Sequence, residues 1–121
     1  MKKTVIIGAT PNTARYAYAA AQRLTAYHHE IVPVGIKQGE LFGQPILPIR
    51  EYPIISDVDT ITMYIGPRHQ PEYYNYLLSL APKRMIFNPG SENEEFMKMA
   101  RDEGIEVVSG CTLVMLGVGI Y

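Results

Sequence analysis

Arg15 and Lys37 are the cations best placed to meet an anion, because each follows a short apolar run that closes on glycine. The first run, Thr4 to Ala9, passes through Gly8-Ala9-Thr10-Pro11-Asn12-Thr13 into an alanine-rich stretch. Gly8 permits a tight turn, small residues let the backbone approach a ligand, and Thr10, or alternatively Asn12, can cap the following helix. Helix N-termini carry partial positive charge, and structural helices usually place acids there. The segment opened by Ser91 does so with Glu92, Glu94 and Glu95, and the segment opened by Pro71 does so with Glu72. The first helix has no acid, since the first acidic residue of the chain is Glu30, and Arg15 stands in its first turn instead. Free backbone N–H groups beside an Arg fork are the equipment of a phosphate site. A plain strand–helix turn would want the same glycine and threonine but not the arginine.

The second apolar run bears on which ligand. Dinucleotide folds that take NAD place an acid at the end of the second strand, to accept the ribose hydroxyl. Here that end reads Pro33-Val34-Gly35-Ile36-Lys37, and Glu30 lies at the opposite end of the run. A lysine there suits a ligand with an extra ribose phosphate, as in NADP and coenzyme A; alone, it would read as a solvated loop residue. Thr10 and Thr13 stand where the second and third glycines of the dinucleotide fingerprint would be, and no lysine-bearing phosphate loop of the NTPase kind is present. Catalytic and metal-binding sets are likewise missing. His28 and His29 are adjacent at a helix end and point apart. His69 reads as a helix-entry residue near the ligand edge, and Asp57 and Asp59 fall at the wrong end of the third strand. Cys111 reads as a small buried hydrophobe. No catalytic residue and no metal ligand is predicted.

These residues need a frame that brings loops together, and the chain's patterning supplies one. In 121 residues, short apolar runs alternate with periodic segments, the mark of a parallel α/β sheet. Strands are expected at Thr4–Ala9, Glu30–Val34, Thr60–Ile65, Arg84–Phe87 and Ile105–Val108. Helices are expected at Thr13–Tyr27, from Pro71 to Pro82, and at Ser91–Glu103, where Ser91-Glu-Asn-Glu94 has the capping-box pattern. Residues 36–56 read as a winding loop with at most one short strand, and the tail from Thr112 as a last turn of helix or strand. The expected fold is one domain over residues 1–121, with a doubly wound, mostly parallel five-stranded sheet.

The ordered set Gly8-Ala-Thr-Pro-Asn12, Val32-Pro-Val-Gly-Ile-Lys37, Gly43-Gln-Pro45 and Gly90-Ser-Glu-Asn-Glu-Glu95 resembles the small CoA-binding proteins. These are Rossmann-like and similar to the N-terminal domain of the succinyl-CoA synthetase α subunit. The resemblance spans nearly the whole chain. It implies that Gly8, Ala9, Thr10, Pro11, Asn12 and Arg15 face the phosphates, and that Val34, Gly35 and Lys37 lie near the adenosine. It further implies that Pro67 lines the wall and that Asn88 and Gly90 complete the pocket floor. The chain departs from the family pattern at Gly35-Ile36, where Asn-Pro is usual, and at Ser109-Gly-Cys111, where Asp-Arg-Cys is common. The implied function is binding of coenzyme A or an acyl-CoA without catalysis. The alternatives are an NADP- or other nucleotide-binding enzyme or sensor domain, and a ligand-free interaction module.

Composition bounds the partners. With 11 basic and 12 acidic residues the formal net charge is −1, which excludes a broad polyanion-binding surface. The charge is uneven: residues 1–50 hold six bases and two acids, a net of +4, and residues 51–121 hold five and ten, a net of −5. The N-terminal apolar run is too short for a membrane span or a signal-peptide core, so no membrane and no nucleic acid are expected, and the expected compartment is the cytoplasm. Three of the nine tyrosines fall at residues 73–76, where Tyr73, Tyr74, Tyr76, Leu77, Leu78 and Leu80 leave only a narrow polar stripe. A homodimer through the Tyr73–Ala81 helix is the corresponding expectation.

Overall fold

The computed structural model describes residues 1–121. In chain order the elements are β1 (Thr4–Ile7), α1 (Tyr16–Ala26), β2 (Ile31–Gly35), β3 (Glu40–Leu41), β4 (Gln44–Pro45), β5 (Leu47–Pro48) and β6 (Thr60–Met63). There follow α2 (Tyr74–Ser79), β7 (Arg84–Phe87), α3 (Glu94–Asp102), β8 (Glu106–Ser109) and α4 (Thr112–Gly117). Six strands form one sheet in the order β5-β2-β1-β6-β7-β8, every pairing parallel. The fold is a doubly wound α/β sheet, with six strands where the sequence predicts five. The sixth is β5, whose Leu47 and Pro48 lie beside Val34 and Gly35. Two residues, one of them proline, are too few to show a period. They reach β2 because β3 and β4 form a hairpin closed at Phe42 (φ +50°) and Gly43 (φ +85°), a left-handed pair suited to a two-residue turn.

Strand alternation separates two cores. Val5, Ile7, Met63, Met85 and Phe87 face the side covered by α2 and α3, whose Leu77, Phe96, Met97 and Ala100 are buried there. Ile6 faces the other side, against Ala17, Ala21 and Leu24 of α1 and Leu116 of α4. Alanines along α1 let it lie close to the sheet. The ring of Phe96 stacks on Tyr74 at 4.4 Å and meets Phe87 edge-on at 5.8 Å.

Several element boundaries differ from the sequence expectation, each for a local reason. α1 begins at Tyr16, three residues after Thr13, because side chains satisfy the preceding loop: Asn12 N donates to Thr10 Oγ1 at 3.2 Å and Ala14 N to Asn12 Oδ1 at 3.0 Å. Pro71 opens a short 3₁₀ turn, and the α-helix proper starts at Tyr74. α3 is capped by Asn93, whose Oδ1 accepts from Phe96 N, rather than by Ser91. Ser91 is buried and its hydroxyl donates to Asn88 O.

The apolar excess of the tyrosine-rich segment is used within the chain. Tyr73, Tyr74, Leu77 and Leu80 are buried in the α2–α3 core, and the Tyr76 hydroxyl donates to Pro53 O.

Candidate functional site

Winding reverses at β1. The chain moves outward from β1 through β2 to β5, then returns to lay β6 on the other side of β1 and continues to β7 and β8. The loops after β1 and β6 therefore part company at the carboxyl edge of the sheet, and a crevice is expected between them. A cleft of about 520 Å³ lies there, lined by the loops after β1, β2, β5, β6 and β7 and by the start of α1.

Close backbone packing shapes its floor. Gly8 (φ +95°) donates its N–H to Val34 O, and a Cβ added there would lie 2.9 Å from Tyr64 O. At Gly35 an added Cβ would lie 2.6 Å from Ala9 O, so β2 and the first loop touch through bare backbone. No side chain fits at either position without displacing main chain.

The start of α1 faces the cleft through Arg15, Tyr16 and Ala17. Arg15 is the extended N-cap residue and its side chain caps nothing; the first turn holds no acid. The first α1 N–H groups that find partners are those of Tyr18 and Ala19, which donate to Arg15 O. The N–H groups of Tyr16 and Ala17 have no acceptor in the chain. Two free donors, the positive end of the helix and an exposed guanidinium thus converge on one wall. Lys37, Arg50 and His69 add positive or ionisable groups to the same cleft, and Glu72 is its one acid.

Of the residues singled out from sequence, Gly8, Ala9, Thr10, Arg15, Gly35, Lys37 and Gly90 line the cleft. Pro11, Asn12, Val34, Pro67 and Asn88 do not. Pro11 is exposed and packs beneath Gly39, while Asn12 spends its side-chain oxygen on Ala14 N. Val34 is fully buried and contributes its carbonyl to the Gly8 and Ala9 N–H groups. Pro67 is exposed at the start of a 3₁₀ turn, and its neighbours Gly66 and His69 line the cleft instead. Asn88 is buried, and every polar atom of its amide is engaged inside the protein. Its Nδ2 donates to Thr62 Oγ1 at 2.7 Å and Met63 O at 2.9 Å, and its Oδ1 accepts from Thr112 N at 2.9 Å. It ties β6, the end of β7 and the start of α4 together beneath the cleft.

Gln70, Arg50 and Tyr64 join the site without a signal in the sequence. Gln70 is fully buried and fastens two walls, donating to Ile65 O at 3.0 Å and Ser91 O at 2.8 Å while accepting from Asn93 Nδ2. Arg50 lines the cleft from a segment that reads as irregular, and only the β2–β5 pairing brings it there. Tyr64 lies on the floor with its hydroxyl buried and unpaired, and burial pushes its pKa up. No cluster of three or more His, Cys, Asp or Glu residues is gathered anywhere in the structure.

Comparison with known proteins places this architecture. The family described as CoA binding domain matches residues 2–117. The chain belongs to the CoA-binding domain family. A crystal structure of an uncharacterized protein is 57% identical, covers 100% of this chain and 98% of that one, and superposes with a TM-score of 0.96. A hypothetical protein from Pyrococcus horikoshii OT3 is 22% identical with a TM-score of 0.86, covering 98% of this chain and 83% of its own. A protein from Thermus thermophilus gives 22% identity and a TM-score of 0.86, with 99% and 90% coverage. The last two share the fold. No curated protein matches the chain. No helix is long and apolar enough to cross a membrane.

Proposed function

We propose that the cleft binds coenzyme A, or an acyl-CoA, and that this chain binds without catalysing. The observation that carries the reading is the acid-free start of α1, where the unpaired N–H groups of Tyr16 and Ala17 meet Arg15. A diphosphate supplies the acceptors that these donors lack, and its charge offsets the guanidinium. Lys37 then meets the ribose phosphate from the end of β2. Membership of the CoA-binding domain family supports the same ligand. Binding without catalysis is the reading the lining supports: neither His69 nor Glu72 is held by a side-chain hydrogen bond that would orient it for proton transfer.

Since a ligand that binds only the folded state must stabilise it, CoA at one hundred times its Kd is expected to add about 2.7 kcal/mol and to raise the melting temperature. Arg15→Glu is expected to abolish that rise, because it places a negative charge beside the diphosphate. An unchanged response in the variant removes the phosphate assignment. Parallel melts with NADP, NAD and ATP distinguish a CoA site from a general nucleotide site, and a response to NADP alone favours an NADP-binding domain instead.

A further inference from the structure

We propose that Arg50, lining the same cleft as Lys37, reads a ribose phosphomonoester on the ligand of the cleft and so separates phosphorylated nucleotides from their dephosphorylated counterparts. The proposal rests on the nucleotide reading above and adds to it a residue that sets specificity.

Parallel pairing puts Val34 beside Leu47 and Gly35 beside Pro48. Neighbouring strands lie about 4.8 Å apart, so two chains leaving the sheet at the same level emerge as neighbours. The residues that leave are Ile36-Lys37 after β2 and Ile49-Arg50 after β5, and all four line the cleft. Lys37 and Arg50 are both exposed, and neither has a carboxylate in reach: the chain's two ion pairs are Lys3–Glu30 and Lys98–Asp102. Glu40 and Glu51, the acids closest to them in sequence, stay outside the cleft. Two unpaired cations on adjoining segments repel one another, and a shared anion between them reverses the sign of that interaction.

A phosphomonoester fits this pair better than a phosphodiester does. It carries close to two negative charges near neutral pH and presents three terminal oxygens, enough for the Arg50 fork and the Lys37 ammonium together. Arg15 and the first N–H groups of α1 line the cleft from the start of that helix and serve a separate group. The cleft thus holds two anion-binding corners, one on α1 and one between β2 and β5. Ile36, 61% exposed in the cleft wall, offers an apolar surface beside the second corner on which a base can rest.

The test is calorimetric titration of the full chain with CoA and with 3′-dephospho-CoA. The wild type is expected to prefer CoA by tenfold or more, the scale of a charged hydrogen-bonded contact. Arg50→Gln is expected to lower that preference about tenfold, losing much more affinity for CoA than for the dephosphorylated form. Arg15→Gln is expected to weaken both nucleotides alike and to leave their ratio in place. Equal binding of the two by the wild type, or a ratio that Arg50→Gln leaves intact, overturns the assignment of Arg50 while the nucleotide site stands. Failure of both nucleotides to bind removes the nucleotide reading and the Arg50 assignment with it. Arg50 is exposed and makes no hydrogen bond from its side chain, so the variant is expected to melt with the wild type.

Discussion

Asn88 shows how one amide can be used wholly within the protein. It follows β7 at the carboxyl edge, where binding residues gather, yet its donors and acceptor are all consumed by Thr62, Met63 and Thr112. Asn88→Ala removes these and strands the Thr112 N–H in the interior. The expected loss is about 1–3 kcal/mol in urea unfolding, the cost of orphaning a buried polar group. The variant that remains folded is expected to keep its CoA response, whereas a residue that touches ligand would lose affinity at unchanged stability. Arg15 has the opposite profile, exposed and bonded to nothing through its side chain, and its substitution is expected to move binding and spare the fold. The residue type alone does not distinguish the two; the difference lies in whether the protein itself uses the polar atoms.

Among the elements, the start of α3 separates a sequence pattern from the bond that forms. Ser91-Glu-Asn-Glu94 fits a capping box, but Asn93 adopts the extended N-cap conformation and accepts from Phe96 N at 3.2 Å. Its Nδ2 also donates to Gln70 Oε1 and to the Tyr74 hydroxyl, which in turn donates to Glu95. Asn93→Ala is expected to cost about 1–2 kcal/mol, the upper range for a cap, because these further bonds go with it. Thermal melts check this, and a variant that melts with the wild type would remove Asn93 from the capping role. The same comparison explains α1. Its helical period is plain in the alanines, but the residues before it are held in turns that the Thr10 and Asn12 side chains close onto the N–H groups of Asn12 and Ala14, and Arg15 is extended.

For the whole molecule, the two edges of the sheet do different work. The carboxyl edge carries the cleft. The amino edge carries a cluster in which His29 Nδ1 accepts from Lys2 N at 2.9 Å and the His29 ring packs on Tyr121 at 5.0 Å. The Arg84 guanidinium lies over the Tyr121 ring at 4.4 Å, and the Tyr121 hydroxyl shares a hydrogen with Thr4 Oγ1 at 2.6 Å. Burial first, then the positive charges of the N-terminal amine, Lys2 and Arg84, hold the His29 pKa below 6.5, with Asp59 opposing. The fold thus favours neutral imidazole. Stability from His29 is complete above 6.5 and falls as the pH drops from 6.5 toward the lowered value, since the unfolded chain takes up the proton first. His29→Asn keeps an acceptor without the titration, and its urea midpoint is expected to fall less than the wild type's over that interval. Parallel profiles for the two proteins would remove His29 as the cause.

What the sequence determined by itself was the alternation of buried strands and amphipathic helices, and with it the parallel α/β sheet, the acid-free start of α1 and the resemblance to CoA-binding proteins. These are legible because they are local: a β-branched run, an alanine period and a missing carboxylate are each contained in a few neighbouring residues. The tertiary structure decided the sixth strand, the gathering of Arg50 and Lys37 in one cleft, the Gln70 and Asn88 ties beneath it, and the burial of Tyr73 and Tyr74 inside the chain's own core. Each of these joins segments distant in sequence. Leu47 and Pro48 have no pattern to read until β2 offers its open edge, and Asn88 looks like any exposed loop amide until Thr62 and Thr112 surround it. Pairing across a sheet edge and satisfaction of buried polar groups are properties of the assembled chain, and they set which of its residues are left free to meet a ligand.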